Sequence, residues 1–170
     1  MSSRLILDEN NLRSLPVEKR LKRCIEIVEK EDDESLRWDA VWLAGEVAEI
    51  VGSKNPLFTK VADLMSWVLK NDTNGVVKHE ACYQIAARDM RDKIPDLVQT
   101  ALFDTSVVAR HEALESLGLM RAFDSTKLIL EATKDPNPDV KETADFVIKR
   151  LHRLEKLHGA RKTYKPSDIV

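Results

Sequence analysis

The chain has 170 residues, of which 43% are hydrophobic and 33% charged, and its formal net charge is −2. This length suits one domain or a short repeat array with a sizeable core, and five Gly with six Pro exclude a disordered or loop-rich chain. The near-neutral charge excludes a general electrostatic attraction to nucleic acid or anionic lipid, so no direct nucleic-acid partner is expected.

The N-terminal stretch, MSSRLILDENN, lacks the pattern of a signal peptide because acidic residues follow its few apolar positions. No apolar run approaches the roughly 18 residues that a membrane span needs, so no membrane partner is expected. Cys24 and Cys82 lack the CxxC spacing of a redox or metal motif and fall within helical patterns. We therefore expect two buried, reduced thiols in a protein of the cytoplasm.

Helical periodicity continues through almost the whole chain and predicts eight helices in four pairs. They span residues 16–30, 35–51, 57–70, 76–89, 92–103, 107–120, 125–134 and 138–157. The Asn-Pro steps at 55–56 and 137–138 are start signals, because Asn caps a helix and Pro is tolerated in its first turn. Residues 159–170 form a basic segment without an apolar repeat, which predicts a solvated C-terminal tail.

The second helices of the four pairs share one register. They read LRWDAVWLA (36–44), VKHEACYQI (77–85), ARHEALESL (109–117) and VKETADFVI (140–148). The central alanines lie 41, 32 and 31 residues apart, with apolar residues four positions before and after each, which predicts a buried stripe. Such units bury their stripes by stacking. The sequence therefore predicts an all-α fold, an α-solenoid of about four HEAT-like helical pairs, in a single domain over residues 1–158.

A His-Glu dipeptide precedes the central alanine in the two inner repeats only. At 100° per residue, His79 lies about 200° from Val77 and nearly opposite the buried stripe, and His111 lies likewise. Because packed helices lie about 8–10 Å apart, imidazoles in equal register on neighbouring helices can converge on one ion, with bonds of roughly 2.1 Å. With a neighbouring carboxylate, such a set suits non-haem Fe(II), although Zn and Mn fit it too. The alternative is a surface pair copied by duplication without a function.

Around these dipeptides the sequence resembles the deoxyhypusine hydroxylase family, HEAT-repeat di-iron oxygenases. The resemblance covers about residues 56–157, and its motifs are VVKHEACYQIA (76–86) and VVARHEALESLG (107–118), with DPNPDVKETADFVIKRLHRLE (135–155) resembling the segment that follows. Members of the family have two lobes of four repeats with two His-Glu motifs each and a pair of irons between the lobes. They hydroxylate the deoxyhypusine side chain of a translation factor.

The resemblance implies a role for each residue of the two dipeptides. His79, His111 and Glu112 would ligate one iron, as Fe(II)/Fe(III), while the catalytic-site residue Glu80 would stay off the metal and hold the amine of the substrate. The chain is one lobe long, with two motifs instead of four. We therefore expect a two-fold homodimer to complete the active site, with two irons per dimer and a deoxyhypusine-bearing translation factor as substrate.

Further acidic residues are candidates for binding a cationic substrate. Glu115 lies one turn beyond Glu112, and Asp39 occupies the register of Glu80, although a solvated carboxylate is the simpler interpretation of Asp39. His152 and His158 lie six residues apart, which suits no single helix face, and neither is predicted to be a ligand.

Two other functions remain compatible with the sequence. One is a HEAT-type interaction scaffold without catalysis, similar to subunits of chromophore lyases. The other is a one-metal protein of half the family's size, which would hold iron but lack the second centre that oxygen activation needs.

Overall fold

The helices of the computed structural model follow the pairing expected from the sequence. The structure describes residues 8–158. Over this range the helices are α1 (Glu9–Arg13), α2 (Val17–Lys30), α3 (Glu34–Val51), α4 (Pro56–Asn71), α5 (Gly75–Ala87), α6 (Ile94–Phe103), α7 (Val107–Leu119), α8 (Thr126–Ile129) and α9 (Pro138–His158). Short 3₁₀ segments span Arg91–Lys93, Phe123–Ser125 and Leu130–Lys134. The predicted all-α fold of HEAT-like pairs is confirmed.

The chain divides into two compact units, Met1–Ala81 and Cys82–Val170, with the boundary inside α5. In the first unit α2 packs on α3, and α3 packs on α4. In the second unit α6 packs on α7, and α7 packs on α9. The single domain over residues 1–158 stays a prediction, and the basic tail at 159–170 lies outside the described residues. None of the helices described is long and apolar enough to cross a membrane.

The shared register of the second helices is visible in their burial. The four central alanines are all fully buried: Ala40, Ala81, Ala113 and Ala144. Of their neighbours four positions away, all but the half-buried Leu36 are buried as well, as Val77 and Ile85 illustrate around Ala81. A small side chain at the centre of each stripe therefore lies in the core, as the pattern predicts.

The predicted helix starts at the two Asn-Pro steps are confirmed by their capping contacts. The Asn55 side chain accepts a hydrogen bond from the N–H of Leu57 at 2.9 Å, with Pro56 in the first helical position of α4. The Asn137 side chain accepts from the N–H of Asp139 at 3.0 Å and so caps α9. Each cap satisfies an N–H group that the helix itself leaves without a partner.

The segment predicted as one helix over 125–134 is a single α-turn followed by a 3₁₀ segment. In an α-helix the carbonyl of Ala132 would accept from the N–H of residue 136, but Pro136 has none. The N–H of Asp135 donates to that carbonyl instead, at 3.1 Å, which is the shorter 3₁₀ spacing. The proline therefore tightens the turn that leads into α9.

Helix α1 is an element that the sequence did not predict, because five residues are too few to display a period. Asp8 caps it by accepting from the N–H of Asn10 at 3.0 Å. Arg13 then donates to both carboxylate oxygens of Glu46 on α3, with Nη2 2.6 Å from Oε1 and Nε 3.0 Å from Oε2. This two-point contact attaches α1 to the first repeat.

A two-point Arg–Asp pair joins the third repeat to the fourth. Arg110 of α7 donates from Nε to Asp135 Oδ2 at 2.8 Å and from Nη2 to Oδ1 at 3.0 Å. Its Nη1 donates to the carbonyl of Asp104 at 2.9 Å. Asp135 Oδ1 also accepts from the N–H of Asn137, at 2.8 Å, and Asn137 caps α9. The pair therefore fixes the start of α9 against α7.

The same arrangement occurs in the first unit. Arg37 of α3 donates to both oxygens of Asp72, at 2.8 and 3.1 Å, and to the carbonyl of Asp32 at 2.8 Å. Asp72 accepts from the N–H of Asn74 at 2.8 Å, and Asn74 accepts from the N–H of Val76 at 2.8 Å. The Arg–Asp pair is thus a repeated connection between consecutive HEAT pairs.

Helices α7 and α9 approach closely at Gly118. A Cβ atom added there would lie 3.3 Å from both methyl groups of Val147, which is tighter than ordinary van der Waals contact. Further along, Arg150 Nη1 donates to the Gly118 carbonyl at 2.7 Å. The missing side chain therefore sets the spacing of the two helices.

We expect Arg110→Met to lower the free energy of unfolding by about 3 kcal/mol, because Asp135 would keep a charge without its partner in the interior. The side chains of the pair are only 12% and 7% exposed. Urea titration at pH near 7 measures the change. The matched control is Arg23→Met, whose pair with Glu26 is only half-buried, with side chains 37% and 34% exposed, and should contribute less than about 1 kcal/mol.

The effect of Arg110→Met should also depend on pH. Burial alone would raise the pKa of Asp135, but hydrogen bonds from Arg110 and from the N–H of Asn137 outweigh it and lower that pKa. The contribution of the carboxylate is therefore present above its unfolded-state pKa of about 3.9 and is lost as pH falls through the folded-state pKa. The difference between parent and variant should shrink toward pH about 3; an undiminished difference there would contradict this account.

Neither cysteine should react with a thiol reagent in the folded protein. Cys24 and Cys82 are both completely buried and form no disulfide, as predicted. Burial raises the pKa of Cys24 to about 12, so the reactive thiolate is scarce at neutral pH. Ellman's reagent should detect no thiol in native protein and both thiols in concentrated urea. Rapid labelling of native protein would contradict the packing of α2 and α5.

Candidate metal centre

Both ring nitrogens of His111 lie close to polar atoms of other side chains. His111 lies in the first half of α7, directly after Arg110, and its side chain is 39% exposed. The start of α7 is capped by Ser106, whose side chain accepts from the N–H of Ala109 at 3.3 Å. Nδ1 of the imidazole lies 2.8 Å from Oγ1 of Thr143, on α9. The ring is therefore attached to the neighbouring helix by one of its two nitrogens.

The second nitrogen of His111 faces a carboxylate. Nε2 lies 3.6 Å from Oε1 of Glu115, which is one turn further along α7 and whose side chain is 50% exposed. An imidazole nitrogen and a carboxylate oxygen at this separation can share a proton or a metal cation. The pair thus presents two metal-ligating atoms on one accessible face of the helix.

The two predicted glutamates of the His-Glu dipeptides are buried. Glu112 on α7 is 7% exposed, and Glu80 on α5 is 4% exposed. An ionised carboxylate is costly to bury unless it is paired, hydrogen-bonded or bound to a cation. Their burial distinguishes both residues from the solvated carboxylates on the outer surface of the repeats.

His79 is half-buried on α5 and belongs to the first compact unit, whereas His111 and Glu112 belong to the second. Among residues 8–158, no three His, Cys, Asp or Glu side chains are already gathered in a group that could hold a metal ion. The ligand set of His79, His111 and Glu112 therefore stays a prediction. The structure describes each of these residues within its own compact unit.

The first repeat carries aromatic residues where the inner repeats carry the dipeptides. Trp38, in the register of His79, stacks on Trp42 with ring centroids 5.8 Å apart and planes 18° from parallel. Trp42 also donates from Nε1 to Glu46 at 3.1 Å. These rings pack against each other, as aromatic pairs in helices commonly do.

Asp39, a predicted substrate-binding residue, is half-buried on α3. Burial raises its pKa, and the nearby charges of Glu9 and Asp33 raise it further. A carboxyl with this environment holds its proton more readily than a solvated one, and a neighbouring cation would reverse that tendency. The sequence prediction that Asp39 faces a cationic substrate remains a prediction.

Thr143 is a candidate functional residue that the sequence did not predict. In the shared register Thr143 occupies the position of Glu80 and Glu112. From the sequence alone, the fourth repeat is therefore simply one without the His-Glu dipeptide. The register combined with stacking identifies Thr143, because α9 packs on α7 and so places Thr143 beside His111. Of the other histidines, His152 is exposed on α9, and the side chain of His158 lies outside the described residues.

The chain is similar in sequence to several known proteins. A family model described as HEAT repeats matches residues 61–149. Deoxyhypusine hydroxylase of Saccharomyces cerevisiae is 30% identical over 128 residues, which cover 74% of this chain and 38% of the yeast protein. The enzyme of the same name from Mus musculus is 34% identical over 103 residues, covering 57% of this chain and 33% of the mouse protein.

A solved structure has a similar fold. Human deoxyhypusine hydroxylase in complex with glycerol aligns with a TM-score of 0.67 at 23% identity, over 92% of this chain and 51% of the human chain. At this identity the structural likeness concerns the fold alone. The chain spans about half of that structure, and its aligned segments span under two fifths of the two curated relatives.

Proposed function

This chain belongs to the HEAT-repeat family and is a half-length relative of the deoxyhypusine hydroxylases, and from this we propose that it is an iron-dependent, O₂-activating hydroxylase. The observation that carries the proposal is the pair of His-Glu dipeptides in equal register, at 79–80 and 111–112, within the region that the HEAT-repeat model matches. A fold shared with an enzyme would not be sufficient, because function depends on the site.

The proposed iron ligands are His79, His111 and Glu112. The chemistry of His111 fits this role, since metal-ligating histidines generally donate from their other nitrogen to a neighbouring acceptor, and Thr143 is such a neighbour here. Two imidazoles and one carboxylate leave coordination positions open, which is typical of non-haem Fe(II) sites. Bound iron would supply the activation of O₂, so that an unactivated C–H bond is hydroxylated without an organic cofactor.

We propose a deoxyhypusine-type lysine side chain of a translation factor as the substrate. Such a side chain is a cationic amine and needs carboxylates along its path. Glu80, buried on α5, is proposed to hold the amine at the reacting centre, and Glu115 and Asp39 are proposed to bind positive charge nearby. A negative surface would also raise the local concentration of a basic segment.

The chain carries one such ligand set, and we propose that a homodimer supplies the second; it would act in the cytoplasm, where Cys24 and Cys82 stay reduced. A two-fold axis brings the same surface of each protomer together, so each copy would supply one ligand set and the dimer two irons. In this arrangement neither protomer has the complete active site.

We expect His111→Ala to weaken Fe(II) binding by more than about 100-fold, because loss of a ligand should exceed the effect of losing an outer contact. Anaerobic calorimetry on the full chain measures the affinity. The matched control is His152→Ala, which removes an exposed imidazole from α9 and should bind iron as the parent does. If parent and His111→Ala bound iron equally weakly, a protein-binding HEAT scaffold would replace the hydroxylase as the best proposal.

The dimer is tested by metal analysis combined with mass in solution. Light scattering after size exclusion should give twice the 19.4 kDa chain mass, with two irons per particle. A monomer that holds one iron would indicate the half-size, one-metal alternative, and a monomer that holds two irons would require ligands beyond those proposed.

A further inference from the structure

We infer that Thr143 is a positioning residue, which fixes the proton of His111 on Nδ1 and thereby makes Nε2 the only imidazole nitrogen able to bind a metal. The metal-binding part of this inference rests on the proposed function. The assignment of the proton does not, because it follows from the hydrogen bonds of the described residues alone.

Thr143 makes two short polar contacts through one oxygen atom. Its Oγ1 lies 2.8 Å from Nδ1 of His111 and 2.8 Å from the carbonyl oxygen of Asp139, one turn earlier in α9. The residue is 9% exposed, so little water competes for the hydroxyl. A threonine hydroxyl has one proton to donate and lone pairs with which to accept.

Only one arrangement of protons satisfies both contacts. The carbonyl of Asp139 can only accept, so the single hydroxyl proton of Thr143 must be donated to it. Oγ1 then has only lone pairs left for His111, and Nδ1 must be the donor. This holds for the neutral imidazole and for the imidazolium, since Nδ1 carries a proton in both cases.

The consequence concerns the other nitrogen. In the neutral ring with a proton on Nδ1, the lone pair is on Nε2, which is 3.6 Å from Oε1 of Glu115. A lone pair and a carboxylate oxygen repel each other unless a proton or a cation is shared between them. By fixing the proton on Nδ1, Thr143 thus creates a position between Nε2 and Glu115 that favours a cation.

Rigidity of the neighbouring helix makes Thr143 effective. Asn137 caps the start of α9 and donates its N–H to Asp135, which Arg110 holds from α7. His111 directly follows Arg110 in the chain. The helices that carry the hydroxyl and the imidazole are therefore connected to each other, so the ring cannot turn without breaking the 2.8 Å contact.

The test is the proton position of His111 in the metal-free full chain, from two-bond ¹H–¹⁵N spectra recorded across neutral and mildly alkaline pH. His111→Gln assigns the signal. Thr143→Ser keeps a hydroxyl and should keep the proton on Nδ1, whereas Thr143→Val has the same shape but no acceptor and should move the proton toward Nε2. Thr133→Val is the matched control, because the Thr133 hydroxyl also donates to a backbone carbonyl one turn earlier, that of Leu130, and lies away from His111 in the sequence.

Zinc binding supplies the second measurement, with Zn(II) as a diamagnetic probe. Thr143→Val should bind Zn(II) about 10–100-fold more weakly than the parent, and Thr143→Ser and Thr133→Val should bind nearly as the parent does. In the parent, zinc should shift the ¹⁵N signal of Nε2 and leave the Nδ1 proton in place.

The inference would be overturned by a parent protein with the proton on Nε2, or by a Thr143→Val variant with an unchanged proton position. It would also be overturned by zinc bound at Nδ1. Failure of the proposed function has a different signature: the proton position would respond to Thr143→Val as described, while the parent would bind neither Zn(II) nor Fe(II).

Discussion

The paired contact between Arg110 and Asp135 is the interaction on which the candidate site depends. A bidentate Arg–carboxylate pair fixes orientation as well as distance, and here it joins α7 to the segment that leads into α9. Asp135 also accepts a hydrogen bond from the N–H of Asn137 at the start of α9, and α9 contacts α7 again where Thr143 meets His111. Together with the backbone of α7 and α9, these three contacts form a closed ring, so each keeps the others in place.

Recurrence of the pair explains why a repeat array can carry a precise site. Arg37 and Asp72 make the same contacts in the first unit, although the residue after Arg37 is a tryptophan and not a histidine. The connection between repeats is thus independent of the residue that it orients. A HEAT pair can therefore exchange a packing residue for a ligating residue at that position without losing its attachment to the next pair.

The sequence predicted those features that depend on local pattern. Fully buried alanines, the capped starts at Asn55 and Asn137 and the pairing of helices all follow from periodicity and capping chemistry. Helix α1 was missed because it is too short to show a period, and the 3₁₀ segment before Pro136 depends on one absent N–H group. The contact of Thr143 with His111 was missed for another reason. It depends on how α7 and α9 are positioned against each other, and the periodicity of a single helix does not contain that information.

Gly118 has a consequence for how such a site can change. It lies two turns beyond His111 on the same face of α7, and Val147 lies one turn beyond Thr143 on α9, so both pairs belong to one seam between parallel helices. One extra methyl group at residue 118 would widen that seam by a few tenths of an ångström, which is enough to lengthen a hydrogen bond that has no slack. Substitutions remote from the imidazole can thereby change the orientation of the ring without replacing any metal-ligating residue.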